Sequence, residues 1–249
     1  LDVSSESAAG GKIVATGDRV MIDAGSSLDA TGATGGGEIY VGGGWQGGDE
    51  NIRNASQTVV DQGAELKADA QAVGDGGTIV VWSDSGTYYN GNISARGGEQ
   101  AGNGGHVEVS GKENLAFYGT VDTSAPNGSN GVLLLDPSNI TIVDGAAGQT
   151  GTYADWSDHS DRGNWVIPET VLEGLAGDVE LTAVTNIVIE DLSDDTLNLS
   201  ADSISFFSND ESSGSSVGGF YMDPSDTIKL NGAGNLTLQG GSASVPSAG

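Results

Sequence analysis

The feature that most constrains this chain is a repeat of short β-prone runs, each entered through glycine. Gly10-Gly11-Lys12-Ile13-Val14-Ala15, Gly36-Gly37-Glu38-Ile39-Tyr40-Val41, Gly76-Gly77-Thr78-Ile79-Val80-Val81, Gly104-Gly105-His106-Val107-Glu108-Val109 and Gly131-Val132-Leu133-Leu134-Leu135 align on Ile13, Ile39, Ile79, Val107 and Leu133. Those positions are spaced by 26, 40, 28 and 26 residues, and the long interval contains a Gly-rich insertion around Trp45. Two further columns lie between the runs. Residues 23–30 match 61–68 at a constant offset of 38, and residues 87–93 match 115–121 at an offset of 28. A unit of strand, turn, strand, turn, strand and long Gly-rich turn, without helical spacing, marks a β-solenoid. The expected fold is all-β: a right-handed parallel β-helix with Gly-rich turns, loop insertions and at most one short helix.

Alternation along each run assigns its faces, because successive strand side chains point to opposite sides. Ile39 and Val41, Ile79 and Val81, Val107 and Val109, and Leu133 and Leu135 form the inward set. Glu38, Tyr40, Thr78, Val80, His106 and Glu108 form the outward set. The Gly doublets suit sharp corners that need positive φ. Strand-like triplets continue as Val179-Glu180-Leu181, Ile187-Val188-Ile189, Leu197-Asn198-Leu199, Ile204-Ser205-Phe206, Ile228-Lys229-Leu230 and Leu236-Thr237-Leu238. The reading is regular rungs over 1–143, a non-repeating insertion over 144–176 and further rungs over 177–249, forming one solenoid. Within the insertion, residues 168–175 predict a short helix, with Pro168 in its first turn and Gly177 closing its end.

Composition narrows the function classes. With 35 acidic against 8 basic residues the net charge is -27, which opposes nucleic-acid binding and docking on anionic membranes. The chain has no Cys, which excludes disulfides, thiolate catalysis and Cys-based metal sites. No apolar run approaches the roughly 20 residues of a spanning helix, so membrane insertion is not expected. Without an initial Met or signal peptide, the chain reads as a piece of a longer protein.

Three runs carry a family resemblance: 104–112 (GGHVEVSGK), 119–128 (GTVDTSAPNG) and 133–142 (LLLDPSNITI), with 185–192 (TNIVIEDL) as a fourth. They resemble the filamentous-haemagglutinin-like large exoproteins exported by two-partner secretion. The likeness covers about residues 10–142 well and the rest more loosely. It implies a secreted or cell-surface bacterial rod that attaches to host cells, other bacteria or biofilm matrix. The implied partners are a surface receptor or glycan and, for the full-length protein, an outer-membrane two-partner secretion transporter. The amino-terminal secretion domain of that family is not visible in these residues.

The rival class is a β-helical polysaccharide lyase or hydrolase. Such a site needs convergent carboxylates with a cation to stabilise charge. Asp122, Asp136 and Asp144 fall near strand ends, where Asp commonly caps a turn, so no catalytic residue, cofactor or metal site is assigned. His106 and His159 are too far apart in the pattern to pair. Asp155, Asp158, His159 and Asp161 make an acidic loop without the spacing of a twelve-residue calcium loop. Trp45 on its Gly-rich insertion could stack on a sugar or fold back on its own rung. Tyr40, Trp82, Tyr88 and Tyr118 are read as outer-strand aromatics that could extend a binding face. Glycosylation triplets begin at Asn54, Asn92, Asn127, Asn139, Asn198 and Asn235.

Overall fold

The computed structural model describes residues 1–145, 165–208, 218–232 and 234–240. It is a β-solenoid of about seven turns, and every strand ladder among the described residues is parallel. Strands are numbered in chain order. The main sheet stacks β1 (Lys12–Ala15), β4 (Glu38–Val41), β7 (Thr78–Ser83), β10 (His106–Gly111), β13 (Val132–Leu135), β16 (Asp178–Ala183), β19 (Ser203–Ser208) and β22 (Leu236–Gln239). A second column stacks β2 (Arg19–Ile22), β5 (Gln57–Val60), β8 (Gly86–Tyr89) and β11 (Asn114–Phe117). A third stacks β3 (Ser27–Asp29), β6 (Glu65–Lys67), β9 (Asn92–Ser94) and β12 (Thr120–Asp122).

The register is the one the repeat predicts. Ile13 pairs with Ile39, Ile39 with Ile79, Ile79 with Val107 and Val107 with Leu133. The offset of 38 pairs Leu28 with Leu66, and the offset of 28 pairs Thr87 with Leu115 and Ile93 with Val121. One continuous apolar core runs from Ile13 to Phe206 and contains the whole inward set. Stacking like aliphatic residues at each level lets every rung bury a face that it could not cover alone.

The Gly doublets do a different job from the one expected. Gly10, Gly36, Gly76 and Gly104 are not among the glycines with positive φ. A Cβ on Gly36 would lie 1.9 Å from the Ala68 carbonyl oxygen, and one on Gly104 would lie 1.8 Å from that of Thr123. Backbone passes so close to backbone at this corner that no side chain fits. Positive φ is used instead at Gly25 and Gly63, the stacked turns that lead into β3 and β6.

The order of levels changes after β13. Strand β14 (Ile140–Val143) pairs on one side with β17 (Ile187–Ile189) and on the other with β15 (Ile167–Pro168). The N–H of Phe117 in β11 donates to the Val166 carbonyl at 3.1 Å. The second column therefore runs β11, then residues 166–168, then β14, β17 and β20 (Phe220–Tyr221). The chain climbs past one level at β14 and comes back with β15 to fill the level it skipped. Parallel backbone groups left open between β11 and β14 would otherwise lack partners.

Helix α1 (Glu169–Glu173) follows and buries Leu172, and the adjoining Leu175 joins the same core. Its ends differ from the expectation. Pro168 is an extended N-cap residue and Gly174 closes the helix, while Gly177, at φ 86°, turns the corner into β16. The helix underlies β18 (Thr196–Leu199), whose Asn198 N–H donates to Glu173 Oε1 at 2.6 Å. Strand β18 pairs with β21 (Thr227–Leu230). No helix among the described residues is long and apolar enough to cross a membrane.

Candidate functional site

The insertion around Trp45 folds down over the outer face of the main sheet. Val80, Trp82 and Glu108 point outward, as the alternation requires, yet all three are buried, Trp82 and Glu108 against the insertion itself. Gly43 and Gly47 make the contact possible: a Cβ at either would fall 2.5 or 2.7 Å from the Trp82 indole. Asn54 Nδ2 ties the cover down through the Gly47 carbonyl at 3.0 Å and Asp84 Oδ1 at 3.1 Å. Trp45 itself stays 37% exposed in a short 3-10 turn, Trp45–Gly47.

Gln46 is the clasp. Held at φ 50°, its N–H donates to Glu108 Oε2 at 2.7 Å, and its Nε2 donates to Asp136 Oδ2 at 3.0 Å. Burial pushes the Glu108 pKa up to about 7; the Gln46 N–H and Ser110 oppose the shift, and the Asp136 charge adds to it. Glu108 Oε1 has no hydrogen-bond partner. A carboxyl with this proton affinity could serve as a general acid in an open cleft. Here it is fully covered, and it accepts the Gln46 N–H that closes the insertion over the sheet.

The aromatic face read from the sequence is corrected. Trp82, Tyr88 and Tyr118 are buried. The Tyr88 and Tyr118 rings lie 5.5 Å apart, tilted by 39°, beside Val59 and Ala116 and beneath Trp165 and Val166 of the returning segment. Gly86 leaves room for the Trp165 ring, since a Cβ there would sit 2.6 Å from it. Only Tyr40 of the four remains half-buried, with Lys12 Nζ 4.4 Å from its ring centroid.

The acids named from the sequence are not brought together. Asp122 ends β12 in the third column and accepts from the Ser124 N–H. Asp136 follows β13 in the main sheet and accepts from Gln46, while Asp144 follows β14 and accepts from the Ser193 N–H. His106 is exposed at the start of β10. The loop of Asp155, Asp158, His159 and Asp161 lies outside the described residues. Asn54 is held inside the cover, whereas the other five triplet asparagines are exposed. Three carboxylates that the sequence did not single out, Asp191, Asp195 and Asp226, do converge.

Among the described residues, a polar groove of about 540 Å³ opens at the corner after the third column, lined by Thr31, Asp69, Gln71, Arg96, Glu99 and Gln100 among others. Its residues come from four successive levels: Thr31 after β3, Asp69 after β6, Arg96 after β9 and Ser124 after β12. At the ~4.8 Å spacing of neighbouring strands, the groove extends about 14 Å along the solenoid axis. Asp69, 8% exposed, accepts from Ser94 Oγ at 2.6 Å, the Arg96 N–H at 2.7 Å and Arg96 Nη2 at 3.1 Å. That fixes a half-exposed guanidinium at the groove wall. A sequence signal did exist: each of these residues sits one place after a buried small residue, Ala30, Ala68, Ala95 or Thr123.

No protein-family model matches the chain, and no curated protein sequence matches it.

Proposed function

We propose that this chain is a structural and adhesive segment of a secreted or cell-surface bacterial exoprotein of the filamentous-haemagglutinin-like kind, and that it attaches to host cells, other bacteria or biofilm matrix by gripping a glycan in the axial groove. The groove is the observation that carries the reading. Sugar hydroxyls both donate and accept, and Gln71, Gln100, Glu99 and Arg96 offer both kinds of partner over several levels. Asp69 already orders Arg96, so less side-chain entropy is lost on binding. The net charge of -27 disfavours polyanions, which leaves a neutral or amino glycan as the fitting class. The full-length protein would reach the surface through an outer-membrane two-partner transporter, as the sequence resemblance implies.

The test is a glycan array and a whole-cell binding assay with the chain and an Arg96→Ala/Gln100→Ala double variant. Loss of two ligand hydrogen bonds should weaken binding by at least about tenfold, with the circular dichroism unchanged. Equal binding by the variant would place attachment elsewhere. Shortening of a polysaccharide, lost on Asp122→Asn, Asp136→Asn or Asp144→Asn, would favour the lyase or hydrolase reading.

A further inference from the structure

The second half of the solenoid carries two stacked β-turns. In the first, the Asp195 N–H donates to the Leu192 carbonyl at 3.0 Å; in the second, the Asp226 N–H donates to the Asp223 carbonyl at 3.1 Å. The turns lead into β18 and β21, where Thr196 pairs with Thr227, so the register places Asp195 and Asp226 side by side on adjacent levels. Like charges set opposite each other across neighbouring strands are destabilising. Asp191 joins them, and an oxygen from each of the three carboxylates lies within 4.8 Å of the others.

The surrounding acids are not equivalent. Asp194 Oδ1 accepts from the Thr196 N–H, and Asp223 Oδ1 accepts from the Ser225 N–H and hydroxyl, so both are used by their own turns. Asp226 is different. It is only 9% exposed, and neither of its carboxylate oxygens accepts a hydrogen bond. Burial raises the Asp226 pKa above its ordinary value and the neighbouring carboxylates add to the shift, while the nearby Leu192 N–H opposes it without completing a hydrogen bond. None of the ion pairs among the described residues reaches the cluster. A covered, unbonded carboxylate beside two others offers the oxygen donors that a hard cation takes.

We infer that Asp191, Asp195 and Asp226 bind one divalent cation of the calcium class and clamp two successive turns of the solenoid. Oxygen ligands sit about 2.3–2.6 Å from Ca²⁺, so ligands on opposite sides of one ion are roughly 4.6–5.2 Å apart and the rest are closer. The observed spread fits inside that sphere. Ca²⁺ also tolerates an irregular set completed by water, whereas Mg²⁺ demands a near-octahedral one. The clamp would convert a repulsive stack into a cross-link between levels.

The experiment is calorimetric titration of the chelator-treated 249-residue chain with CaCl₂ and with MgCl₂ in 150 mM NaCl, with thermal melts at matched ionic strength. The expected result is one Ca²⁺ bound more tightly than Mg²⁺ and a melting temperature raised by Ca²⁺ beyond the effect of salt. Asp195→Asn and Asp226→Asn should each weaken Ca²⁺ at least tenfold. If Asp226→Asn does not fold, the exposed Asp191→Asn carries the same test. Variants that bind and melt with Ca²⁺ as the parent does, or a parent whose melting responds only to ionic strength, would overturn the inference.

Discussion

Gln46 and Glu108, 62 residues apart in sequence, are joined by a 2.7 Å hydrogen bond from the Gln46 N–H to Glu108 Oε2 that closes a loop over the outer face of the main sheet. An outward-facing acid thereby becomes a buried one, and the consequences for stability can be measured.

The first consequence is a pH dependence. Glu108 titrates near 7 in the folded chain, against 4.5 as its ordinary value. The native state therefore holds this proton more tightly than the unfolded state does. The resulting stabilisation is fully present below about pH 4.5 and is lost as pH rises to about 7, a change on the order of 3 kcal/mol. Glu108→Gln, which keeps the Gln46 N–H satisfied, should remove it. Urea denaturation of both proteins should show the variant gaining on the parent between pH 4.5 and 7 and no further gain above. A stability difference that does not vary with pH would mean Glu108 ionises freely beneath the loop.

The second concerns the cover itself. Gly43→Ala and Gly47→Ala press a methyl group into the Trp82 ring, and Gly47 has φ 62° besides. Each should cost about 1–3 kcal/mol and open residues 42–53 to limited proteolysis. Gly48→Ala meets only the Trp45 carbonyl, at 3.5 Å, and should leave the cleavage rate unchanged.

The third separates inside from outside. Val107 is fully buried in the core, between Ile79 and Leu133. Val107→Asp puts an unpaired charge there and should cost more than about 4 kcal/mol. Glu108→Lys loses the Gln46 bond and should free the cover while the levels beneath stay folded. Hydrogen exchange should report lost protection throughout β7 and β10 for the first variant and only around residues 42–56 for the second. Equal loss in both would refute the inward–outward assignment.

The fourth distinguishes two uses of glycine. Gly25 has φ 76° and nothing within 4 Å of an added Cβ, so Gly25→Ala should cost only about 1 kcal/mol. Gly104→Ala would drive a methyl group into the Thr123 carbonyl and should cost several times more, on the order of 4 kcal/mol. Similar melting temperatures for the two variants would show that the corner can widen.

The solenoid is legible in the order of the amino acids alone. A period near 26–28 residues with alternating aliphatic positions admits few other folds, because only stacked levels bury every such position. Ile39, Ile79, Val107 and Leu133 stack as their alignment predicts, and the six strand triplets after residue 177 lie in strands as read. What covers the outside is set by long-range packing. Alternation tells which way Trp82, Tyr88 and Glu108 point, but not that residues 42–53 and 165–166 return to bury them. The return of β15 to a skipped level, the groove assembled from residues 31, 69, 96 and 124, and the meeting of Asp195 with Asp226 are likewise products of stacking. Each depends on contacts between residues far apart in the chain, and the side chains involved carry no periodic signal strong enough to reveal their neighbours. Burial of the core follows from local pattern; burial of the surface follows from where insertions land.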